Sequence, residues 1–326
     1  LRQYEATSQY DGYNSDALKA ANDVTAYSEN RNQVASLSYS HDNTKVHYNQ
    51  SHFNRLFAPS SHFDGRTIEA GLEHRLNYKQ KDSLNIGLTK RSDEVLNSVN
   101  KRYNINSIFI TNQNSNDEGI ILNETLRYDQ NSEFENITTY RIGFKQSFQE
   151  ELSYALNIAS GYNAPTLNQM FGAVGANKDL LAESTQSIDL NLNLFGLHMT
   201  YYYNEVDNLI DYVITDYTTY AGSYNNLNGT STLKGYEIEY ANTFERLDTT
   251  LSINYTLLNA VDNQGKTLAR RPEDSVNIAL EYFPIDTLFI ALNANYVGER
   301  FNQNDKQGVQ TGKYTLFSGN ISYDVI

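Results

Sequence analysis

Apolar and polar residues alternate along most of this chain. Leu251, Ile253, Tyr255 and Leu257 are separated by Ser252, Asn254 and Thr256, and Val276, Ile278, Leu280 and Tyr282 by Asn277, Ala279 and Glu281. Ile188, Leu190, Leu192 and Leu194 repeat the pattern, as do Leu152, Tyr154, Leu156 and Ile158. Successive side chains on an extended strand point to opposite faces, so each segment has one apolar and one strongly polar face. About sixteen such segments are legible, the first centred near residue 5 and the last near residue 319. No long stretch keeps the three-and-four spacing of an amphipathic helix. Residues 16–22 are read as one helical turn at most.

The connections carry a second pattern. Short ones fall near residues 42–43, 80–82, 112–118, 149–150, 195–196, 245–248 and 284–286. Longer ones fall near 11–23, 58–64, 93–100, 129–133, 163–183, 207–229, 261–271 and 302–312, and the two classes alternate. A soluble sandwich or solenoid also has alternating strands, but it has no reason to place every long connection at one end. A transmembrane barrel does, with short turns at one rim and long loops at the other. The segments are often about ten residues or longer, which suits a tilted bilayer crossing. The fold class read from this pattern is all-β, a transmembrane antiparallel β-barrel. Tyr39, Phe53, Tyr78, Tyr103, Phe109, Tyr128, Tyr140, Tyr240, Tyr282 and Tyr296 lie near segment ends and are candidates for the two aromatic girdles.

Composition narrows the function classes. Lys and Arg number 25 against 39 Asp and Glu, a net charge of −14. That excess argues against a nucleic-acid-binding surface and suits a cation-binding one. Without cysteine there is neither a disulfide nor a thiolate metal site. The six histidines are scattered, with no His-Glu-x-x-His pair, phosphate loop or hydrolase elbow, so no enzyme is expected.

The connection beginning at Gly161 is more specific. Gly161-Tyr162-Asn163-Ala164-Pro165 resembles the G-Y-x-A-P segment of TonB-dependent outer-membrane receptors, and looks most like the cobalamin receptors among them. The family's following G-N-P-x-L-x-P-E is matched by Asn177, Leu180 or Leu181, and Glu183, without either proline. Asn204-Glu205-Val206-Asp207-Asn208-Leu209-Ile210-Asp211-Tyr212 resembles N-x-V-x-x-L-I-D-Y. Lys234-Gly235-Tyr236-Glu237 resembles K-G-x-E, and Arg270-Arg271-Pro272 resembles R-R-P. The four occur in the family's order, clearest over residues 150–300.

The resemblance implies a 22-stranded barrel around a plug. Residues 1–326 would supply approximately strands five to twenty, without the plug, the N-terminal coupling box, the first strands or the last two. Bare sheet edges cannot face lipid, so such a piece belongs to a longer chain or closes on itself as a smaller barrel, sixteen being even. The implied role is active transport of cobalamin or a related corrinoid across the outer membrane of a Gram-negative bacterium. Energy would come from the TonB complex through the N-terminal part. A TonB-dependent siderophore receptor, a passive porin of about sixteen strands and a soluble β-solenoid adhesin are the alternatives.

Two groups of site residues follow. Asn163, Asn168, Gln169 and Phe171 combine hydrogen-bonding groups with an aromatic platform, as needed to hold a large, mostly neutral ligand; alternatively they merely shape the loop. Asp11, Asp16 and Asp23 share one connection, which suits a hard cation or simply a solvated acidic loop. Through the resemblance, Tyr10 and Asp11 fall on the family's Tyr-Asp pair and Asp23 near its later aspartate. These residues are the implied calcium ligands, part of the set lying upstream of Leu1.

Overall fold

The computed structural model describes residues 2–9, 12–14, 19–21, 27–57, 61–97, 99–216, 218–219 and 221–324. Its strands are β1 (Arg2–Gln9), β2 (Gly12–Asn14), β3 (Lys19–Ala21), β4 (Tyr27–His41), β5 (Thr44–Phe57), β6 (Ser61–Asn77), β7 (Ser83–Val95), β8 (Lys101–Ser115), β9 (Ile120–Asn131) and β10 (Ile137–Gln149). They continue as β11 (Leu152–Asn163), β12 (Glu183–Leu194), β13 (Leu197–Asp207), β14 (Ile210–Asp216), β15 (Ala221–Asn226), β16 (Thr230–Phe244), β17 (Thr249–Val261), β18 (Asp274–Ile285), β19 (Leu288–Val297) and β20 (Tyr314–Tyr323). One short helix, α1 (Leu167–Phe171), lies between β11 and β12. No described helix is long and apolar enough to cross a membrane, which says nothing of crossing by strands.

Sixteen strands form one antiparallel sheet in chain order, from β1 through β4–β13 and β16–β19 to β20, while β2–β3 and β14–β15 stand apart as hairpins. β1 pairs only with β4 and β20 only with β19. The described sheet therefore does not close on itself, as the sixteen-stranded porin would require. Two sequence expectations are corrected. Lys19–Ala21 is extended and paired with Gly12–Asn14, within the stretch read as one helical turn at most. Residues 58–64 are not a long connection, because β6 begins at Ser61.

Cross-strand register sorts the two faces. Tyr39, Val46, Leu72, Leu88, Ile108 and Tyr128 are successive partners across β4–β9. Phe144, Leu156, Leu190, Tyr201, Tyr236 and Leu257 are successive partners across β10–β13, β16 and β17. Most of these residues are exposed, Leu88 by 51% and Tyr236 by 49%. A band of that size bare to water would be a large apolar patch, and lipid is the solvent that suits it. The opposite face is polar: Asn193, His198, Glu239, Asn254, Asn277 and Asn295 form one transverse row.

Of the proposed girdle residues, Tyr39, Tyr128, Tyr140, Tyr240, Tyr282 and Tyr296 share the apolar face. Phe53, Tyr103 and Phe109 do not. Their register partners are Gly65, Asp93 and Gly87 on the polar face. Phe109 lies over Gly87 so closely that an added Cβ would stand 2.1 Å from its Cζ. Gly87→Ala is expected to destabilise the sheet by about 1–3 kcal/mol. Much of that cost should disappear in the Gly87→Ala/Phe109→Ala background, read as non-additivity in urea unfolding from detergent.

The rims differ. Residues 42–43, 78–82, 116–119, 150–151, 195–196, 245–248 and 286–287 join strands at one rim, and 164–182, 208–229, 262–273 and 298–313 are long joins at the other. Buried apolar side chains gather at the second rim: Val95, Ile105, Leu167, Met170, Leu180, Ala182, Val206, Ala260 and Leu268. The apolar interior of this chain thus lies beneath its long connections.

The short rim carries a pH-sensitive lock. Asp82 is buried, accepts the Ser115 N–H at 3.0 Å and lies 3.4 Å from Lys79. The Ser115 N–H, and secondarily Lys79, holds its carboxyl below the usual carboxylate value. A depressed folded pKa contributes stability that is complete above the unfolded value, about 3.9, and is lost as pH falls through the lowered folded value. Exchange of the Ser115 amide, corrected for intrinsic rate, should be slow above about pH 4 and accelerate as the pH falls through that window. Asp82→Asn should remove the transition.

Candidate functional site

The connection from β11 to β12 is a folded unit. Pro165 is fully buried at its start. Thr166 then caps α1: the Gln169 N–H donates to Thr166 Oγ1 at 3.1 Å, and the Thr166 N–H donates to Gln169 Oε1 at 2.8 Å. This reciprocal pair satisfies two amides that a helix start otherwise leaves open. Leu167 and Met170 are buried on one side of the helix, which packs against β7 and β8. Lys101 at the start of β8 places its Nζ 5.2 Å from the Phe171 ring centroid, a cation–π contact. β9 and β10 separate those strands from β11. The connection therefore leans back across its neighbours rather than standing away from the rim.

Its second half is tied to the β14–β15 hairpin. Gly175 has φ +61°, and a Cβ there would meet the Tyr212 ring at 2.5 Å, so both backbone shape and space require glycine. The Tyr224 N–H donates to Gly175 O at 2.7 Å, and Asn177 Nδ2 donates to Tyr224 O at 3.0 Å. Asn226 accepts from Leu181 N–H at 2.9 Å and donates to Leu181 O at 3.1 Å and Asn208 O at 2.6 Å. Glu183 accepts from Ile210 N–H at 2.7 Å and from Asn163 Nδ2 at 2.9 Å. Tyr212 and Tyr224 meet edge to face at 5.1 Å. At the hairpin tip, the Thr219 hydroxyl, aided by the Thr218 N–H, lowers the Asp216 pKa.

The connections 262–273 and 298–313 form a second body. Ala269 N–H donates to Asn304 Oδ1, Arg270 N–H to Phe301 O and Asp305 N–H to Thr267 O, each at 2.7 Å. Lys306 is 2.6 Å from Glu273 and 3.7 Å from Glu299. The hydrogen bond to Glu273 leads the causes that raise its pKa.

The four proposed ligand residues occupy one short stretch but have unequal freedom. Asn168 is exposed on α1. Phe171 is half-buried beside Lys101, Gln169 serves the helix cap, and Asn163 serves Glu183. Sequence reasoning missed the hairpin residues Tyr212, Tyr224 and Asn226. Tyr10, Asp11 and Asp23 lie outside the described residues. Among the described ones, no group of three or more His, Cys, Asp or Glu could hold a metal ion. Chemically, the rim offers amides, hydroxyls and aromatic rings on two rigidified bodies above a polar wall, an arrangement suited to holding a large ligand.

Comparison with known proteins gives the same architecture. Residues 2–326 match the family model described as TonB dependent receptor-like, beta-barrel. The chain is 29% identical over 217 residues to the vitamin B12 transporter BtuB of Vibrio cholerae, covering 63% of this chain and 34% of that protein. It is 26% identical over 164 residues to BtuB of Photobacterium profundum, covering 48% and 27%. The chain thus spans about a third of the length of these relatives. Among solved structures, the ferric enterobactin receptor PfeA of Pseudomonas aeruginosa superposes with TM-score 0.71 at 16% identity, covering 94% of this chain and 55% of that one. The siderophore receptor PirA of Acinetobacter baumannii gives 0.72 at 14%, covering 94% and 57%. At these identities the structural likeness speaks for fold alone.

Proposed function

The chain belongs to the TonB-dependent receptor β-barrel family of the Gram-negative outer membrane, and on that premise we propose that it forms most of the wall and outward mouth of a cobalamin receptor. The apolar band faces lipid and the polar face lines the lumen. The long-connection rim faces outward and the short turns face the periplasm. The observation that carries the proposal is the folded mouth, in which the 164–182 connection packs on β7–β8 and is pinned to the β14–β15 hairpin through Asn177, Glu183 and Asn226. A ligand too large and polar to diffuse through a pore needs such a pre-ordered surface. The motif at Gly161-Tyr162-Asn163-Ala164-Pro165, and relatives named as vitamin B12 transporters, favour cobalamin as that ligand. Asn168 and Phe171 are its contacts from α1, with Gln169 and Asn163 shaping the loop. Energy reaches the barrel through the TonB complex, by segments outside this chain. Calcium at Tyr10, Asp11 and Asp23 orders the adjoining connection.

The test is equilibrium binding of cyanocobalamin to the full-length protein in detergent, with and without calcium. Binding at micromolar ligand or below is expected, tightened by calcium in the wild type but not in Asp11→Asn/Asp23→Asn. Absence of binding at micromolar cyanocobalamin, with binding of a ferric catecholate instead, overturns the cobalamin assignment.

A further inference from the structure

A groove of about 430 Å³ opens where the lipid-facing surface of β13, β16 and β17 meets the 262–273 connection. Its floor is Tyr201, Tyr236 and Leu257, register partners in the apolar band. One step nearer the long-connection rim, Lys234 and Asn259 are partners on the same face, and Arg271 closes the top from the connection. The 262–273 connection also contributes Thr267. Among the described residues neither Lys234 nor Arg271 enters an ion pair, although Arg271 donates one hydrogen bond to Ala269 O at 3.1 Å. The one carboxylate on the lining, Glu273, is engaged by Lys306 at 2.6 Å.

This arrangement is unusual for a chain of net charge −14. Two unpaired cations stand on the long-connection side of an aromatic and aliphatic floor. We propose that the groove seats a phosphorylated glycolipid of the outward leaflet. Its phosphate lies between Lys234 and Arg271, whose planar guanidinium suits two phosphate oxygens at once. Asn259 and Thr267 face the sugar, and an acyl chain runs along Tyr201, Tyr236 and Leu257. The groove opens on the face opposite the polar lumen and shares only its top, the 262–273 connection, with the mouth. The proposal rests on the outward orientation of the long-connection rim and not on the identity of that ligand.

Native mass spectrometry of the delipidated full-length protein, titrated with bisphosphorylated lipid A, tests it. The wild type should bind in preference to dephosphorylated glycolipid and to phosphatidylglycerol. Lys234→Gln/Arg271→Gln should weaken binding about tenfold or more. Lys145→Gln, a cation on the polar face, should leave it unchanged. Equal binding by the double variant, by dephosphorylated glycolipid or by phosphatidylglycerol overturns the proposal. Cyanocobalamin binding by Lys234→Gln alone, on the apolar face of β16, should remain at the wild-type level, which keeps this result distinct from that of the transport reading.

Discussion

Asn226→Ala should weaken cyanocobalamin binding about tenfold or more while leaving unfolding of the sheet essentially unchanged. The Asn226 carboxamide is saturated: its oxygen takes the Leu181 N–H, and its two N–H groups serve Leu181 O and Asn208 O. Alanine leaves those three backbone groups without their partner, at about 1 kcal/mol each where water cannot fully replace it. The loss falls on the joint between the 164–182 connection and the hairpin. That joint lies outside the sheet's ladder, so it opens locally rather than globally. Ligand must then re-order the mouth as it binds, and apparent affinity falls with the populated fraction of the ordered state. Hydrogen exchange at residues 175–182 gives a readout that needs no ligand. Protection there should drop in the variant while that of β7 and β8 persists. Unchanged exchange would mean that the hairpin does not hold the connection.

The largest effect on stability is expected at Asp129. Its side chain is 1% exposed and accepts Arg127 Nε on both oxygens at 3.0 Å. Arg127 also donates to Ser107 Oγ at 2.7 Å. Asp129→Ala takes the carboxylate from a guanidinium that is itself 36% exposed, so the loss is up to about 3 kcal/mol, the low end for a buried pair. Asp129→Asn keeps an acceptor for Arg127 but loses the charge, and should cost less. Urea unfolding from detergent micelles ranks the two. Equal, small effects would mean that water penetrates the site and that the pair is not structural.

The sheet was legible in the sequence because one face meets lipid and the other does not, which imposes a period of two on every crossing. The segments centred near residues 5 and 319 are β1 and β20. The misreadings occur where that constraint stops. Thr166 and Gln169 spell the capping signature of α1, yet the helix is too short to show periodicity. The β14–β15 hairpin looked like loop because it stands clear of the membrane-spanning sheet, and Tyr212 and Tyr224 become partners only through pairing. Phe53 and Phe109 looked like girdle aromatics. Only register reveals that they lie over Gly65 and Gly87 on the polar face. The site was half legible: the stretch containing Asn168 and Phe171 is part of the mouth, but its clamp of Asn177, Glu183 and Asn226 depends on contacts more than forty residues apart in the case of Asn177 and Tyr224.

The central claim is that the long-connection rim is an outward, ligand-capturing mouth. These residues contain no cysteine, so single replacements can report which rim faces out. Asn168→Cys lies on α1 and Leu247→Cys, 63% exposed in the native residue, lies on the short-turn rim. In intact cells expressing the full-length protein, a membrane-impermeant maleimide should label Asn168→Cys and be slowed by cyanocobalamin. Leu247→Cys should react only after the outer membrane is permeabilised. Labelling of Leu247→Cys in intact cells, with Asn168→Cys silent until permeabilisation, would contradict the account.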